Sequence, residues 1–319
     1  MRVWVGTYGG GVWQLDTETM RTEKMLTAQD PSWVLQADAA RLYLAEECLD
    51  AETGRVALYR RTEAGWVRQC EASTEGKHPC HLALSPDGAW LAAANYTSGS
   101  AVVFPLDETG AFGKPTLLPG HHGGPKLPRQ SGPHAHFVSF QPEGMICCDL
   151  GADEVRCMVR DGTGWIEDAP CLRLPAGTGP RHLVRCGAFA YVICELSGEL
   201  MAFDWAEGTL LSRQRVADAV EGTAAALRLG EDGKLYGSHR GGDCVSVYDL
   251  QADPAHPRRI VRADCGGCGP RDVLPIPGGV VCACQQSNEV TLLRWAGTSL
   301  TLAGRAALPA PVGLCPMPV

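Results

Sequence analysis

The chain has 319 residues, of which 45% are hydrophobic and 20% charged, and its formal net charge is −8. This acidic balance argues against nucleic acid or an anionic membrane surface as a partner, because both bind basic surfaces. The chain lacks any run of about 18 apolar residues, and its first residues resemble a strand rather than a signal peptide. We therefore expect a cytoplasmic protein with enough apolar material for a large core.

In chain order, the first predicted strands are Val3–Thr7 and Gly11–Leu15, and a recurring phrase starts near Ser32. The phrase consists of a polar residue, an apolar run, a turn rich in Pro, Gly and Asp, and a second apolar strand. Further copies begin at Pro79, Pro133, Pro180, Ala224 and Pro270. A repeat of about 45 to 55 residues with several short strands is typical of a β-propeller, and no stretch has a sustained helical period.

These copies supply six first strands, and the two ends of the chain supply a seventh blade. The tail Val312–Met317 has the character of a first strand, whereas Val3–Thr7 and Gly11–Leu15 are a second and a third strand. Joining them closes the ring and removes exposed sheet edges. We therefore predict an all-β, seven-bladed β-propeller that comprises residues 1–319 as one domain. Residues 114–133, rich in Pro, Gly and His, are predicted to extend over one face.

Polar residues recur where first strands begin and second strands end, and both positions face the mouth of the central channel in a propeller. A single polar residue at a strand end is usually a solvated turn residue. Successive units, however, place His, Arg, Glu and Arg at these strand ends. Buried charges need partners. We therefore expect a ligand site at the mouth. The set is His78, His81, Asn95, His134, His136, Asp149, Arg181, His182, Glu195, His239, Arg240, Arg271 and Gln285.

The chain contains 15 cysteines, and several lie inside apolar strands, where a reduced cysteine packs as a small hydrophobe. Cys265 and Cys268 form a C-x-x-C pair, but no second pair or neighbouring pair of histidines accompanies it. The spacings of His78 with His81, and of the histidines at 134 and 136, match no closed zinc signature. We therefore expect neither a metal site nor a cofactor.

Several of these phrases also resemble those of the seven-bladed lactonase family. The resemblance extends from Gly6 to at least Gln285. The phrases that carry it are His78–His81, Ser85–Gly88, Gly132–His136, Asp149–Asp153, Gly177–His182, Ser238–Gly241 and Gly269–Arg271. The resemblance implies cytosolic hydrolysis of 6-phospho-D-glucono-1,5-lactone to 6-phosphogluconate, which is the second step of the oxidative pentose phosphate pathway.

The same fold family includes fungal carboxymuconate-lactonizing enzymes, for which a His, two Arg and a Glu have been proposed as the active site. The matching residues here are His136, Arg181, Arg240 and Glu195. Glu195 is the expected base or water-orienting group, with a protonation state left open because arginines lower its pKa and burial raises it. The two arginines are expected to hold the oxyanion or a phosphate, and His136 is the expected acid. Further substrate-binding residues are expected at His81, His134, Arg271, Asn95 and Gln285.

Two other interpretations remain open at this stage. A lactonizing or isomerising enzyme of the same fold would use the same four residues, and a noncatalytic propeller could bind a metabolite or a protein. The unit that begins at Gly222 has alanines where other units have His or Arg, so the sequence does not decide whether the lactone is phosphorylated. The protein is expected to be a monomer or a weak homodimer.

Overall fold

A computed structural model of the protein describes residues 1–162, 164–217 and 222–317. The strands form seven separate antiparallel sheets, and the first strands of neighbouring sheets contact one another around a central channel. The predicted all-β, seven-bladed β-propeller is therefore confirmed. Arg240–Gly242 forms a single turn of 3-10 helix. No helical segment within the described ranges has the length and apolar character needed to cross a membrane.

The blades are numbered here in chain order. Blade 1 contains β1 (Arg2–Thr7), β2 (Gly11–Asp16), β3 (Thr22–Leu26) and β29 (Pro311–Pro316). Blade 2 contains β4 (Pro31–Gln36), β5 (Arg41–Glu46), β6 (Arg55–Thr62) and β7 (Gly65–Ser73). Blade 3 contains β8 (Pro79–Leu84), β9 (Trp90–Asn95), β10 (Ser100–Pro105) and β11 (Thr116–Leu118).

The remaining four blades follow the same pattern. Blade 4 contains β12 (Ala135–Gln141), β13 (Gly144–Asp149), β14 (Glu154–Asp161), β15 (Gly164–Glu167) and a short β16 (Leu172–Arg173) that also pairs with β14. Blade 5 contains β17 (Pro180–Cys186), β18 (Phe189–Cys194), β19 (Glu199–Asp204) and β20 (Leu210–Arg215). Blade 6 contains β21 (Ala224–Leu229), β22 (Leu235–His239), β23 (Cys244–Asp249) and β24 (Arg258–Asp264). Blade 7 contains β25 (Pro270–Ile276), β26 (Gly279–Cys284), β27 (Glu289–Ala296) and β28 (Ser299–Ala307).

The ring closes in the way that the sequence predicts. β29 pairs antiparallel with β1, and Val5 lies opposite Leu314 in this pairing. The first strand of blade 1 therefore comes from the C-terminal end of the chain and the other three from the N-terminal end. Because β29 and β1 pair with each other, neither offers an unpaired edge to another strand at the junction.

The hydrophobic core lies between the blades, because the second and third strands are apolar on both faces. Tyr43 and Leu58 of blade 2, for example, pack in one cluster with Leu82 and Val102 of blade 3. Each of the seven interfaces between adjacent blades holds one such cluster. This packing fixes the blades relative to one another and thereby fixes the strand ends that surround the channel.

A register shift recurs at the start of the first strand in all seven blades. In blade 4 the shift lies between Ala135 and Phe137, so that His136 faces no partner residue on β13. The same irregularity occurs around Arg181 in blade 5 and around Arg271 in blade 7. A bulge takes one side chain out of the strand's alternation. These bulges are the local feature that brings polar side chains to the channel mouth.

Candidate active site

A cavity of about 260 Å³ opens at the channel mouth, where the first strands begin. Its walls are formed by Glu47, His78, Cys80, Tyr96, Arg129, His136, Arg181, Glu195, Arg240 and Arg271. Four arginines and two carboxylates among these residues give the walls an excess of positive charge. A larger cleft of about 740 Å³ lies around Tyr236 and Trp295 of blades 6 and 7, but its lining includes none of the predicted site residues.

Eight of the wall residues occupy two repeated positions of the blades. The bulge of the first strand supplies Cys80, His136, Arg181 and Arg271. The position immediately after the second strand supplies Glu47, Tyr96, Glu195 and Arg240. Because both positions recur at one end of every blade, residues far apart in sequence converge on one cavity. The four predicted catalytic residues are among those that the fold brings together.

Glu195 is at the centre of an arginine cluster. Its Oε1 atom accepts a hydrogen bond from Arg129 Nη2 at 2.7 Å and lies 2.9 Å from Arg240 Nη2. Its Oε2 atom lies 2.9 Å from Arg181 Nε, in an ion pair that is out of line for a hydrogen bond. Three guanidinium groups thus surround one carboxylate, and two positive charges are left without a counter-ion inside the cluster.

The charges of this cluster control its protonation. Burial alone would raise the pKa of Glu195, but Arg240, Arg181 and Arg129 outweigh burial and hold that pKa below its ordinary value. Burial, together with Arg240 and Arg271, lowers the pKa of Arg181 to about 10, so its guanidinium remains cationic at neutral pH. Glu195 is therefore ionised, which decides the protonation state that the sequence left open. Arginines occupy both of its carboxylate oxygens, which favours a water-orienting and arginine-holding role over proton abstraction.

His136 is buried beside Arg181, and its Nδ1 atom has no hydrogen-bond partner within the described residues. Burial, followed by the charge of Arg181, lowers the pKa of His136 well below its ordinary value. The resting imidazole is therefore neutral. This neutral state argues against the expected role of His136 as the acid in the resting enzyme, because a neutral imidazole must first accept a proton to become an imidazolium acid.

A second carboxylate lies across the mouth on blade 2. The Tyr8 hydroxyl donates a hydrogen bond of 2.6 Å to Glu47 Oε1, and Arg271 Nη2 lies 3.7 Å from the same oxygen. The Arg271 guanidinium lies 5.1 Å from the centre of the Tyr8 ring and donates a 3.4 Å hydrogen bond to Gln285. The predicted binding residue Arg271 thus lines the cavity, and Gln285 supports it from behind without lining the wall.

Arg129 reaches the cavity from the long connection after β11, and not from a blade. The Gln130 side chain anchors this connection by donating to Leu150 O at 2.9 Å and to Asp153 Oδ1 at 2.8 Å. The Lys126 ammonium adds a 2.8 Å hydrogen bond to Leu196 O. The predicted excursion of residues 114–133 is therefore β11 followed by a loop that is tied down to blades 4 and 5 and delivers Arg129 to the mouth.

His81 was expected to bind substrate, but its side chain lies one layer below the cavity. Its ring centre is 4.0 Å from that of Trp33 and 4.3 Å from that of Phe137. His182, which follows Arg181 in its strand and was also in the set expected at the mouth, lies in the same layer, with its ring 5.7 Å from that of His81. The bulge accounts for the difference, because it makes Cys80, and not His81, the equivalent of His136. His81 and His182 therefore pack beneath the cavity without lining it.

Asn95 and His134, two further predicted binding residues, do not line the cavity either. The fully buried Asn95 amide donates to Thr74 O, in the connection from blade 2, and to the Ser100 hydroxyl of its own blade, both at 3.0 Å. The His134 ring stacks on Tyr96 with ring centres 4.7 Å apart. Asn95 is the last residue of its strand, whereas wall residues come one position later, so its side chain points away from the mouth.

Five residues that contribute to this site were not predicted from the sequence. They are Tyr8, Glu47, Cys80, Tyr96 and Arg129. Counting one residue past each predicted second strand would have found Glu47 and Tyr96, because Glu195 and Arg240 occupy that position in their blades. Arg129 had no such signal, since it belongs to a loop outside the repeat.

Metal-binding and redox chemistry both depend on how the cysteines are placed. Across residues 1–162, 164–217 and 222–317, no three His, Cys, Asp or Glu side chains are grouped so that they could hold a metal ion. Cys265 Sγ lies 3.7 Å from Cys284 Sγ, while its C-x-x-C partner Cys268 is exposed. A disulfide links Cys157 to Cys171 in blade 4.

Comparison with known proteins connects this geometry to a family. Residues 2–315 match the family described as "Lactonase, 7-bladed beta-propeller". A 6-phosphogluconolactonase of Bacillus subtilis is 27% identical over 97% of this chain and 96% of its own length. A 6-phosphogluconolactonase of Formosa agariphila is 26% identical over 90% and 88%, respectively.

Solved structures agree on the architecture. A periplasmic gluconolactonase of Pseudomonas aeruginosa superposes with a TM-score of 0.85 at 24% identity and covers 98% of both chains. A protein from Lactobacillus plantarum gives a TM-score of 0.87 at 27% identity over 98% of both chains. With the match over nearly its whole length, the chain belongs to the seven-bladed β-propeller lactonase family.

Proposed function

We propose that this protein hydrolyses 6-phospho-D-glucono-1,5-lactone to 6-phosphogluconate. The observation that carries the proposal is a cavity with four arginines and two carboxylates in a chain of net charge −8. Such a local excess of positive charge favours an anionic substrate over a neutral one. The relatives named 6-phosphogluconolactonase support the same substrate, and the pentose phosphate pathway follows from that substrate.

Two of the four arginines, Arg181 and Arg240, suit the lactone carbonyl. Arg181 is the most deeply buried of the four, at 3% exposure, and the Nε atoms of Arg181 and Arg240 make no hydrogen bond within the described residues. Cationic donors in a dry site stabilise the negative charge that develops on a carbonyl oxygen during attack. The carbonyl oxygen is therefore placed toward Arg181 and Arg240 in the proposed complex.

The neutral imidazole of His136 suits the proton transfers. It would accept a proton from water as the water oxygen bonds to C1, and the resulting imidazolium would be stabilised by the developing oxyanion. The tetrahedral intermediate then collapses with cleavage of the bond between C1 and the ring oxygen, and the ring oxygen takes the proton from His136. The product acid ionises by releasing its own proton to solvent, so His136 returns to its neutral form.

A coupled assay with freshly made 6-phosphogluconolactone tests the proposal, after subtraction of spontaneous hydrolysis. We expect the wild type to exceed the background, and Arg181→Ala to lower kcat/KM at least about 100-fold, since removing one charged donor to an oxyanion costs that much. A wild type that does no better than background on both phosphorylated and unphosphorylated lactone would exclude the hydrolase function. Full activity of the Arg181→Ala variant would exclude only the residue assignment.

We also propose that the protein acts in the cytoplasm and that a single copy of residues 1–319 suffices. Thirteen of the fifteen cysteines are free, among them the exposed Cys186 and Cys268, and this predominance of free thiols over the one disulfide, Cys157–Cys171, suits a reducing compartment. The ten wall residues surround the mouth of one propeller channel, from blade 2 round to blade 7. A monomer can therefore supply the whole site, and activity is expected to be independent of protein concentration.

A further inference from the structure

We propose that Arg129, carried by the loop between blades 3 and 4, binds the phosphate of the substrate and determines the preference for a phosphorylated lactone. This inference rests on the proposed function and assigns a role to a residue outside the repeated positions of the propeller. Four arginines surround the cavity, and the question is which of them faces the phosphate and which the lactone carbonyl.

The exposure of the arginines separates these two tasks. Arg181 is 3% exposed, Arg240 24% and Arg129 43%, so they form a series from the floor of the cavity to its rim. A phosphate dianion is strongly hydrated, and its transfer into a dry floor would cost more than its transfer to a rim. The neutral lactone ring incurs no such cost. The substrate is therefore oriented with its carbonyl toward Arg181 and its phosphate toward Arg129.

Charge balance supports the same orientation. Glu195 neutralises one of the three arginines that contact it, which leaves two positive charges on that side of the mouth. On the opposite side, Arg271 is balanced by Glu47, to which the Tyr8 hydroxyl also donates. A dianionic phosphate would be attracted by the surplus positive charge beside Arg129. Beside Arg271 it would be repelled by the Glu47 carboxylate.

The loop holds Arg129 in place before substrate binds. One Nη atom donates to both the Tyr96 hydroxyl at 2.9 Å and Glu195 Oε1 at 2.7 Å. The neighbouring Gln130 is almost fully buried and ties the backbone to blade 4. The guanidinium of an arginine fixed in this way retains further N–H donors for two phosphate oxygens, which is the forked geometry that arginine offers to phosphate.

The test compares 6-phosphogluconolactone with unphosphorylated glucono-1,5-lactone in the wild type and in Arg129→Gln, Arg129→Lys and Arg271→Gln. We expect Arg129→Gln to lower the ratio of the two kcat/KM values by about 10- to 100-fold, the effect of losing charged hydrogen bonds. Arg129→Lys should recover part of that ratio, because it keeps the charge. Arg213→Gln serves as the matched control, since Arg213 pairs with Glu199 outside the cavity and should not change the ratio.

Binding of the product, measured by calorimetry with 6-phosphogluconate and with gluconate, gives a readout that needs no turnover. The inference is overturned if Arg129→Gln weakens both ligands equally, or if Arg271→Gln, and not Arg129→Gln, removes the preference. It is also overturned if the wild type hydrolyses both lactones with equal kcat/KM, while the lactonase function would stand. Failure of the wild type on both lactones would remove the proposed function, and 6-phosphogluconate binding would still show whether Arg129 recognises phosphate.

Discussion

Arg228 of blade 6 and Asp272 of blade 7 form a two-pronged ion pair between the first strands of these neighbouring blades, with Nη2–Oδ2 at 2.6 Å and Nε–Oδ1 at 3.1 Å. Asp272 Oδ2 also accepts from Leu314 N of blade 1 at 2.9 Å, and Arg228 donates to Leu314 O at 2.8 Å. These two side chains therefore join three blades at the point where the ring is closed by the C-terminal strand.

Replacing Asp272 by Ala is expected to destabilise the protein by about 3 to 5 kcal/mol, because it leaves Arg228 without its counter-ion in the channel. Urea unfolding measures this change in the free energy of unfolding. Asp253→Ala is the matched control, since this aspartate is exposed and should alter stability by less than about 0.5 kcal/mol. Equal stability of the Asp272→Ala variant and the wild type would show that blade packing alone closes the ring.

Replacing Glu195 by Gln keeps the side-chain shape and removes the negative charge between Arg129, Arg181 and Arg240. Uncompensated buried charge is expected to lower the free energy of unfolding by about 3 kcal/mol or more. Inorganic phosphate should then stabilise the variant more than the wild type, because an anion can replace the missing carboxylate. Thermal unfolding with and without phosphate measures both effects, and identical phosphate shifts in the two proteins would contradict the arginine surplus.

The protein is expected to lose stability in acid because three buried histidines lie at the cavity or beneath it. Burial is the largest cause that lowers the pKa values of His81, His136 and His182 well below 6.5. Arg181 lowers all three pKa values further, and Arg228 lowers those of His81 and His182. The unfolded chain therefore binds more protons than the folded protein below about pH 6.5, and stability falls as the pH falls.

Each of these histidines contributes a slope of up to about 1.4 kcal/mol per pH unit, and the contribution vanishes above about pH 7. Urea unfolding at pH 7, 6 and 5 tests this dependence. A His182→Phe variant should have a shallower slope than the wild type. The expectation fails if the wild type is equally stable at pH 7 and pH 5.

Asn95 and Tyr96 are neighbours in the chain that are expected to behave differently. Asn95→Ala should cost about 1 to 3 kcal/mol of stability through the loss of buried hydrogen bonds to Thr74 and Ser100, while kcat/KM stays unchanged. Tyr96→Ala should instead lower kcat/KM, because Tyr96 lines the cavity and supports Arg129. Urea unfolding and the lactonase assay, both performed on each variant, test these two expectations. A loss of activity in Asn95→Ala with unchanged stability would reverse this assignment.

The repeat in the sequence was sufficient to predict the blades and their closure. Each blade needs apolar residues on both faces of its inner strands, and such runs separated by turns are visible without any tertiary information. The joining of Val3–Thr7 with Val312–Met317 followed from the same count, and the pairing of β1 with β29 confirms it.

The assignment of side chains to the cavity needed the register, which the repeat alone does not determine. The phrases suggest that His81, His136 and His182 are equivalent, but the bulges place His136 level with Cys80 and Arg181. A shift of one residue in a strand moves a side chain to the other face. The predictions at the mouth were correct for Glu195, Arg181, Arg240 and Arg271. The predictions for His81 and Asn95 were each one residue away from the position that lines the cavity.

The sequence by itself determined the ring, its closure and the kind of charged residues at its mouth, because these depend on local patterns that recur in every unit. Only the tertiary structure decided the pairing of those charges. Arg129 reaches Glu195 from a loop 66 positions away along the chain, and Glu47 meets Tyr8 from another blade. Contacts of this kind depend on how the blades and the loop pack in space, and no local pattern specifies that packing.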